Sequence, residues 1–281
     1  MRVLVTGASG FVGSNLVHLL RERCDVLAPS HAELDLTTTV PPKVDAIVHA
    51  AIWNALDGLL ANRRKAWAGY VEATRNCVRS GARVVLVSTD WVFDGTQGPA
   101  REDEPPNPIN AYGFLKAASE LVVLEADGTV ARIAGVQGVH RAKPETPRAQ
   151  DAGFGYLVAS VVDALSAGRP FTVWDSPDIN RIATPVLATD AAELIWRALE
   201  RRVTGILHCV GSEHVDRVSL ARRAVEAYGL DMELLEVGAP PPQRERIPYD
   251  TRLDATETAR RLDVELPDVN RLLEGLAWAS T

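Results

Sequence analysis

The sequence predicts an α/β protein: a doubly wound parallel sheet with helices on both faces, followed by a smaller C-terminal α/β lobe. Three observations carry this reading. Short β-branched runs alternate with helical stretches from residue 2 to residue 135. A glycine-rich turn separates the first run from the first helix. After Gly135 the alternation loosens into a polar segment punctuated by proline. Strands that alternate with helices favour parallel pairing, because each crossover needs an element to return the chain to the same end of the sheet. Right-handed crossovers gather the strand C-termini on one edge, where open α/β sheets bind ligands.

The expected strands of the first part are 2–6, 25–28, 45–51, 83–88 and 129–135, and its expected helices are 11–22, 62–80 and 110–126. The first helix, "FVGSNLVHLLRE", carries Phe11, Val12, Leu16, Leu19 and Leu20 at helical spacing. Residues 62–80 place Ala66, Tyr70, Val71, Thr74, Cys77 and Val78 on one stripe, and Gly81 stops the helix. Residues 136–152 show no periodicity. A helix is expected over 153–167, strands over 171–174 and 205–210, and a helix over 218–228. Asp190 with Glu193 three residues on reads as a capping box. Pro240, Pro241 and Pro242 form a turn before two short C-terminal helices.

Composition excludes several classes. The formal net charge is −7, and the basic residues are scattered. The densest basic run, Arg63-Arg64-Lys65, reads as a solvated helix face. No basic stripe suggests nucleic acid and no polybasic patch suggests a membrane surface. No apolar run approaches the ~18 residues of a membrane span, and the N-terminus lacks a signal-peptide pattern. A cytoplasmic protein is expected. Cys24, Cys77 and Cys209 lack metal-ligand spacing and a disulfide framework, so they read as buried thiols.

"VTGASGFVGSN" places Gly7, Gly10 and Gly13 between strand and helix. Glycine permits the tight turn and the close approach of backbone to a pyrophosphate, and the helix N-terminus offers free N–H groups. A Rossmann-type dinucleotide site follows. The second strand ends in Ala28, Pro29, Ser30 and His31, with no acid for the ribose hydroxyls. Ser30 and His31 are placed to meet a 2′-phosphate, which favours NADP(H) over NAD(H). Asp35 and Leu36 are placed near the adenine.

"VVLVSTDWVFDG" begins as a buried strand and ends in Ser88, Thr89, Asp90 and Trp91, polar groups where the strand leaves the core. "AYGFLK" then sets Tyr112 and Lys116 at i and i+4 on one helical face. A tyrosine of ordinary pKa near 10 is a poor acid–base group, and a neighbouring ammonium makes it a better one. The reading assigns proton donation to Tyr112, its tuning and the nicotinamide ribose to Lys116, and the substrate oxygen to Thr89. Asp90 and Trp91 would stand at the mouth of the substrate site.

At these residues the chain resembles the extended short-chain dehydrogenase/reductases, and within them the dTDP-4-dehydrorhamnose reductase family. "STDWVFDG" followed by "PPNPINAYGFLK" is the most specific stretch, with Trp91 replacing a tyrosine. The resemblance implies a reductase of a 4-keto sugar on a nucleoside diphosphate, with Thr89, Tyr112 and Lys116 as catalytic residues. It places Gly7, Gly10, Phe11 and Val12 on the phosphate loop, and Ala50 and Ala51 on the strand end lining the cofactor. It implies residues 1–135 as the NAD(P)-binding domain. Residues 136–281 become mainly the substrate lobe, interleaved with the end of the sheet. A homodimer accords with the family.

Three stretches depart from the family pattern. Tyr70 stands where the resemblance implies an asparagine, a residue that would order the helix or a proton-relay water. Trp53 is bulky on the substrate side. Gln137 and His140 replace an aromatic ending after the fifth strand; His140 reads either as a substrate contact or as an exposed loop residue. These leave the cofactor machinery intact and the substrate pocket altered. Two alternatives remain: an epimerase or dehydratase on the same fold, and a non-catalytic dinucleotide-binding regulatory subunit. Trp91 after Asp90, where dehydratases carry glutamate, counts against dehydration.

Overall fold

The computed structural model describes residues 1–53, 58–143 and 149–277. The chain runs through β1 (Arg2–Thr6), α1 (Phe11–Arg21), β2 (Asp25–Leu27), β3 (Ala46–His49), α2 (Arg63–Trp67), a π-helical turn (Ala68–Glu72), α3 (Ala73–Arg79), β4 (Arg83–Thr89), a 3₁₀ turn (Asp90–Val92), α4 (Ala111–Leu124) and β5 (Thr129–Ile133). It continues through β6 (Val136–Gln137), α5 (Leu157–Ser166), β7 (Phe171–Trp174), β8 (Ile182–Ala183), β9 (Val186–Leu187), α6 (Ala188–Glu200), β10 (Gly205–His208), β11 (Val215–Asp216), α7 (Arg217–Ala227), β12 (Leu235–Gly238), β13 (Asp250–Thr251), α8 (Thr256–Leu262) and α9 (Val269–Ala277).

Six strands form one parallel sheet in the order β10-β5-β4-β3-β1-β2. The chain steps from β1 outward to β2 and then reverses to β3, so the topological switch point lies between β1 and β3. The strands are apolar on both faces because both faces are covered. Val3, Val5, Ala46, Val48, Val85 and Val87 pack with Leu16 and Leu20 of α1 and with Ala191 and Ile195 of α6. The alternate residues Leu4, Ile47, Val84, Leu86 and Val130 pack with Ala73 and Cys77 of α3 and Val123 of α4. This is the doubly wound Rossmann-type fold that the alternation predicts.

Several expectations need correction. Residues 62–80 are helical but not one α-helix, since a π turn carries Tyr70 and Val71 into the interior. The helix expected from residue 153 starts only at Leu157, because Tyr156 adopts φ +59° just before it. The Asp190–Glu193 capping box is absent: α6 begins at Ala188, directly from the end of β9, with no side-chain cap. Glu193 instead pairs with Arg23 (2.6 Å) and Arg197 (3.0 Å). The small sheets β11-β8-β13, β12-β7 and β6-β9 are too short to show periodicity in sequence.

The later half is interleaved with the earlier one. β10 adds to the edge of β5, and α6 packs on α1. A second apolar cluster gathers α5, α7 and α9 through Leu157, Val161, Leu220, Ala224, Leu272 and Leu276. Cys77 and Cys209 are buried thiols as expected, and Cys24 is half-buried. No helix among the described residues is long and apolar enough to cross a membrane.

Two histidines are buried in the main sheet. His49 shares a hydrogen bond with Thr6 Oγ1 (2.8 Å), and His208 Nδ1 donates to the Asp254 carbonyl (2.7 Å). Burial, reinforced by Lys116 for His49 and by Arg132 for His208, holds both imidazoles at about 3. The unfolded chain binds both protons as pH drops below 6.5, whereas the folded chain resists until about 3. Stability is therefore full above that upper value and declines below it. Urea unfolding at pH 7 and pH 4 should differ by about 3 kcal/mol per histidine; superimposable transitions would show that these imidazoles are not held neutral.

Candidate active site

The site begins at the end of β1. Gly7 turns the chain at φ +69°, and a Cβ there would stand 2.7 Å from the Ala51 backbone nitrogen. A Cβ on Gly13 would collide with the Gly7 carbonyl oxygen. Gly10 is the N-cap of α1, which has neither a side-chain cap nor an acidic residue in its first turn. That leaves the positive end of the helix dipole available to an anion. Thr6 Oγ1 accepts from the Ala51 N–H (3.2 Å), tying β1 to the chain after β3 across the switch point. This bare, glycine-lined turn fits the pyrophosphate of a dinucleotide.

The turn opens into a cleft of about 1200 Å³, lined by the expected cofactor residues, by Thr89, Tyr112 and Lys116 and by Trp53, Asp90, Trp91 and His140, but not by Tyr70 or Gln137. Gly7, Gly10, Phe11, Val12, Ala50 and Ala51 form the floor beside the switch point. Ser30, His31, Asp35 and Leu36 lie at the β2 side. The turn after β2 brings an acid back to Ser30: Glu33 accepts from both the backbone N–H and the hydroxyl of that serine (2.8 Å each). Those donors hold its carboxyl below the usual range. The turn at 30–34 brings Glu33 back to Ser30, a return that reading along the strand does not reveal. His31 is exposed, with Nδ1 4.0 Å from Asp35.

At the other end, α4 and the exit of β4 meet. Asn110 caps α4, its Oδ1 accepting from the Gly113 N–H (2.9 Å) and its Nδ2 donating to the Arg246 carbonyl (2.9 Å). Gly113 lies so close to β4's exit that a Cβ there would collide with the Trp91 carbonyl oxygen. Lys116 is buried and its Nζ donates to the Val87 carbonyl (2.7 Å). Burial pushes Lys116 down to about 8, with Glu120 opposing that fall. Tyr112 is pushed up to about 12 by burial, while its hydrogen bond with Thr89 pulls it down and Asp90 raises it.

The two hydroxyls at the end of β4 serve different partners. Ser88 donates to Glu120, away from the cleft chemistry. Thr89 Oγ1 donates to Asp90 Oδ1 (2.9 Å) and accepts from the Trp91 N–H (3.2 Å). Asp90 is not at the mouth, as expected, but 5% exposed beneath Thr89. Burial pushes its carboxyl up to about 6, against hydrogen bonds from Thr251 and Thr89. The 3₁₀ turn after Thr89 folds Asp90 inward and leaves Trp91 outward.

Aromatic rings wall the Tyr112 end. Tyr70 and Trp91 meet the Tyr112 ring edge-on, with centroids 6.1 and 5.9 Å away. Tyr70 Oη donates to the Trp53 carbonyl (3.3 Å), and Lys65 Nζ sits 4.8 Å from the Trp53 ring. His140 is not an exposed loop residue: it is buried, 6.1 Å from the Phe11 ring on the phosphate-loop side. Sequence reasoning missed two lining segments, Asp151–Tyr156 and Gln243–Ile247. The first is held by the fully buried Arg217, which donates to Asp151 O (3.0 Å), Gln150 Oε1 (3.3 Å) and Asn180 O (3.2 Å). Neither segment carries a periodic or motif signal.

The sequence profile of one family, the RmlD substrate binding domain, matches residues 1–280. The chain belongs to that family. As a member of that family it is an oxidoreductase. It is 31% identical over 248 residues to a dTDP-4-dehydrorhamnose reductase of Mycobacterium tuberculosis, covering 82% of this chain and 76% of that one. A hypothetical dTDP-4-dehydrorhamnose reductase from Sulfolobus tokodaii superposes with a TM-score of 0.77 at 30% identity, over 99% of this chain and 100% of the other. The fold is also that of a Bacillus anthracis dTDP-4-dehydrorhamnose reductase solved with NADP, with a TM-score of 0.81 at 20% identity over 100% and 99% of the two chains.

The glycine turn yields a direct test. Gly13→Ala should force the Gly7 turn open and weaken cofactor binding by about 2 kcal/mol or more, on the scale of overpacking a tight site. Fluorescence titration with NADPH and NADH measures it; wild-type affinity in the variant would remove the turn from the cofactor site.

Proposed function

We propose that this chain reduces a 4-keto deoxysugar carried on a nucleoside diphosphate. The observation that carries the reading is the meeting of Thr89, Tyr112 and Lys116 at the exit of β4, on the same cleft as the glycine turn. A bound reduced nicotinamide supplies hydride to a carbonyl carbon. The chain's part is to hold the carbonyl and give it a proton. Thr89 orients the carbonyl oxygen beside the phenol. Tyr112 donates the proton, and the Lys116 ammonium stabilises the phenolate that remains. Lys116 also holds the nicotinamide ribose.

The later half, residues 136–281, supplies the substrate side. Asp151–Tyr156 and Gln243–Ile247 line the cleft, and Arg244 and Lys143 bring positive charge suited to a diphosphate. Trp53, Tyr70 and Trp91 make the wall around Tyr112 more apolar than a fully hydroxylated sugar calls for, which suits a deoxygenated ring. Net consumption of NAD(P)H separates this reading from an epimerase or dehydratase, which returns its hydride.

The test is NAD(P)H oxidation with a panel of 4-keto sugar nucleotides. Tyr112→Phe should lower kcat by about 10²- to 10⁴-fold while cofactor affinity holds. A panel without turnover, or a fully active variant, would overturn the proposal. The choice between the cofactors turns on Glu33. Its carboxylate occupies the Ser30 donors that a 2′-phosphate would need. Glu33→Gln should tighten NADPH roughly tenfold and leave NADH unchanged; equal effects on both would place the 2′ position elsewhere.

A further inference from the structure

One buried carboxylate outside the cleft touches both elements that carry the candidate chemistry. Glu120 lies one helical turn after Lys116 on α4 and is 1% exposed. It accepts from Ser88 Oγ, from Arg132 Nε (3.1 Å) and from Arg132 Nη2 (2.8 Å). Ser88 immediately precedes Thr89. Arg132, on β5, is itself fully buried and lies 4.9 Å from the Phe93 ring. Its Nη1 donates to His208 Nε2 (3.4 Å). Since His208 Nδ1 gives its proton to the Asp254 carbonyl, Nε2 is left as an acceptor. The guanidinium thus has an anion on one side and a neutral acceptor on the other.

A buried ion pair is weak evidence for stability, because desolvation offsets its attraction. Its placement here points to another role. Lys116 is a buried ammonium, and Glu120 is the anion that opposes its loss of charge. The other titratable groups around the pair are His49 on β3, Tyr70 on the π turn, Tyr112 on α4, Arg132 on β5 and His208 on β10. His49 and His208 are neutral, and Asp90, at the exit of β4, bears on Tyr112.

We propose that Glu120 is a positioning residue for the Tyr112–Lys116 pair: a single carboxylate that pins α4 to the end of β4 through Ser88 and supplies the negative charge that balances Lys116. Its catalytic consequence rests on the reductase reading above; its effect on Lys116 does not.

The chain has four lysines, Lys43, Lys65, Lys116 and Lys143, so ¹³C-labelled lysine side chains can be followed individually by NMR, with Lys116→Arg assigning the signal. Lys116 should titrate near 8 in the wild type. In Glu120→Gln the Arg132 charge is uncompensated, and the Lys116 midpoint should fall by roughly one pH unit or more. The alkaline limb of the kcat–pH profile should move down with it, while cofactor Kd changes less than about threefold. Ser88→Ala keeps the charges, so the Lys116 midpoint should stay and kcat should fall by the same factor at every pH. An unmoved Lys116 midpoint in folded Glu120→Gln overturns the proposal, whether or not a carbonyl substrate is known. A displaced midpoint in a protein that turns over no carbonyl upholds the charge balance and overturns the reductase reading. If Glu120→Gln does not fold, Arg132→Met carries the test with the opposite sign: the midpoint should rise, and a fall overturns the proposal.

Discussion

The site depends on the bare contact between α4 and the exit of β4. Gly113 brings the helix backbone against the Trp91 carbonyl with no side chain between them. Asn110 fixes where the helix starts, and the Lys116 bond to Val87 fixes its rotation against the strand. Only with the helix this close does Tyr112 come within reach of the Thr89 hydroxyl. A displacement of about 1 Å at such a contact is enough to cost a site most of its rate. The helix therefore acts as a ruler that sets the distance of Tyr112 and Lys116 from the strand.

The electrostatics of the cleft follow from how each end is built. The glycine-turn end is open, polar and uncapped, suited to a permanent anion. The Tyr112 end is walled by rings, and the same desolvation drives Lys116 toward loss of charge and Tyr112 toward keeping its proton. Burial drives both groups toward their neutral forms and leaves the phenol a weak acid. Two charges stand against this burial on one helix: Lys116 one turn along α4 from Tyr112, and the Glu120 carboxylate one turn further.

What could be read from the sequence, and what could not, divides along a physical line. The sheet strands were legible because burial on two faces demands continuous apolar runs. The glycine turn and the Tyr112–Lys116 spacing were legible because local geometry dictates residue type. Glu33 was missed because the chain folds back on Ser30 within a turn, so the acid comes from beyond the strand end. Asp90 was put at the mouth because adjacency to Thr89 said nothing about which way the 3₁₀ turn rolls it. Whether His140 is exposed stayed open because nothing in its own segment shows that it is buried beside Phe11. The segment Gln243–Ile247 reaches the cleft through long-range contacts, the Asn110 bond to Arg246 and a pairing of β13 beside β8 that spans two residues per strand.

The insertion of β10 beside β5 has a consequence for how the protein is made. During synthesis from the N-terminus, β1 to β5 emerge well before α6 and β10. Until those arrive, one apolar face of the sheet lacks part of its cover and β5 is an open edge. An unpaired edge and a bare face are the features that invite mispairing and chaperone capture in a nascent chain. Substitutions in α6 or β10 should thus be felt first in the amount of protein a cell can deliver, before the finished enzyme registers them.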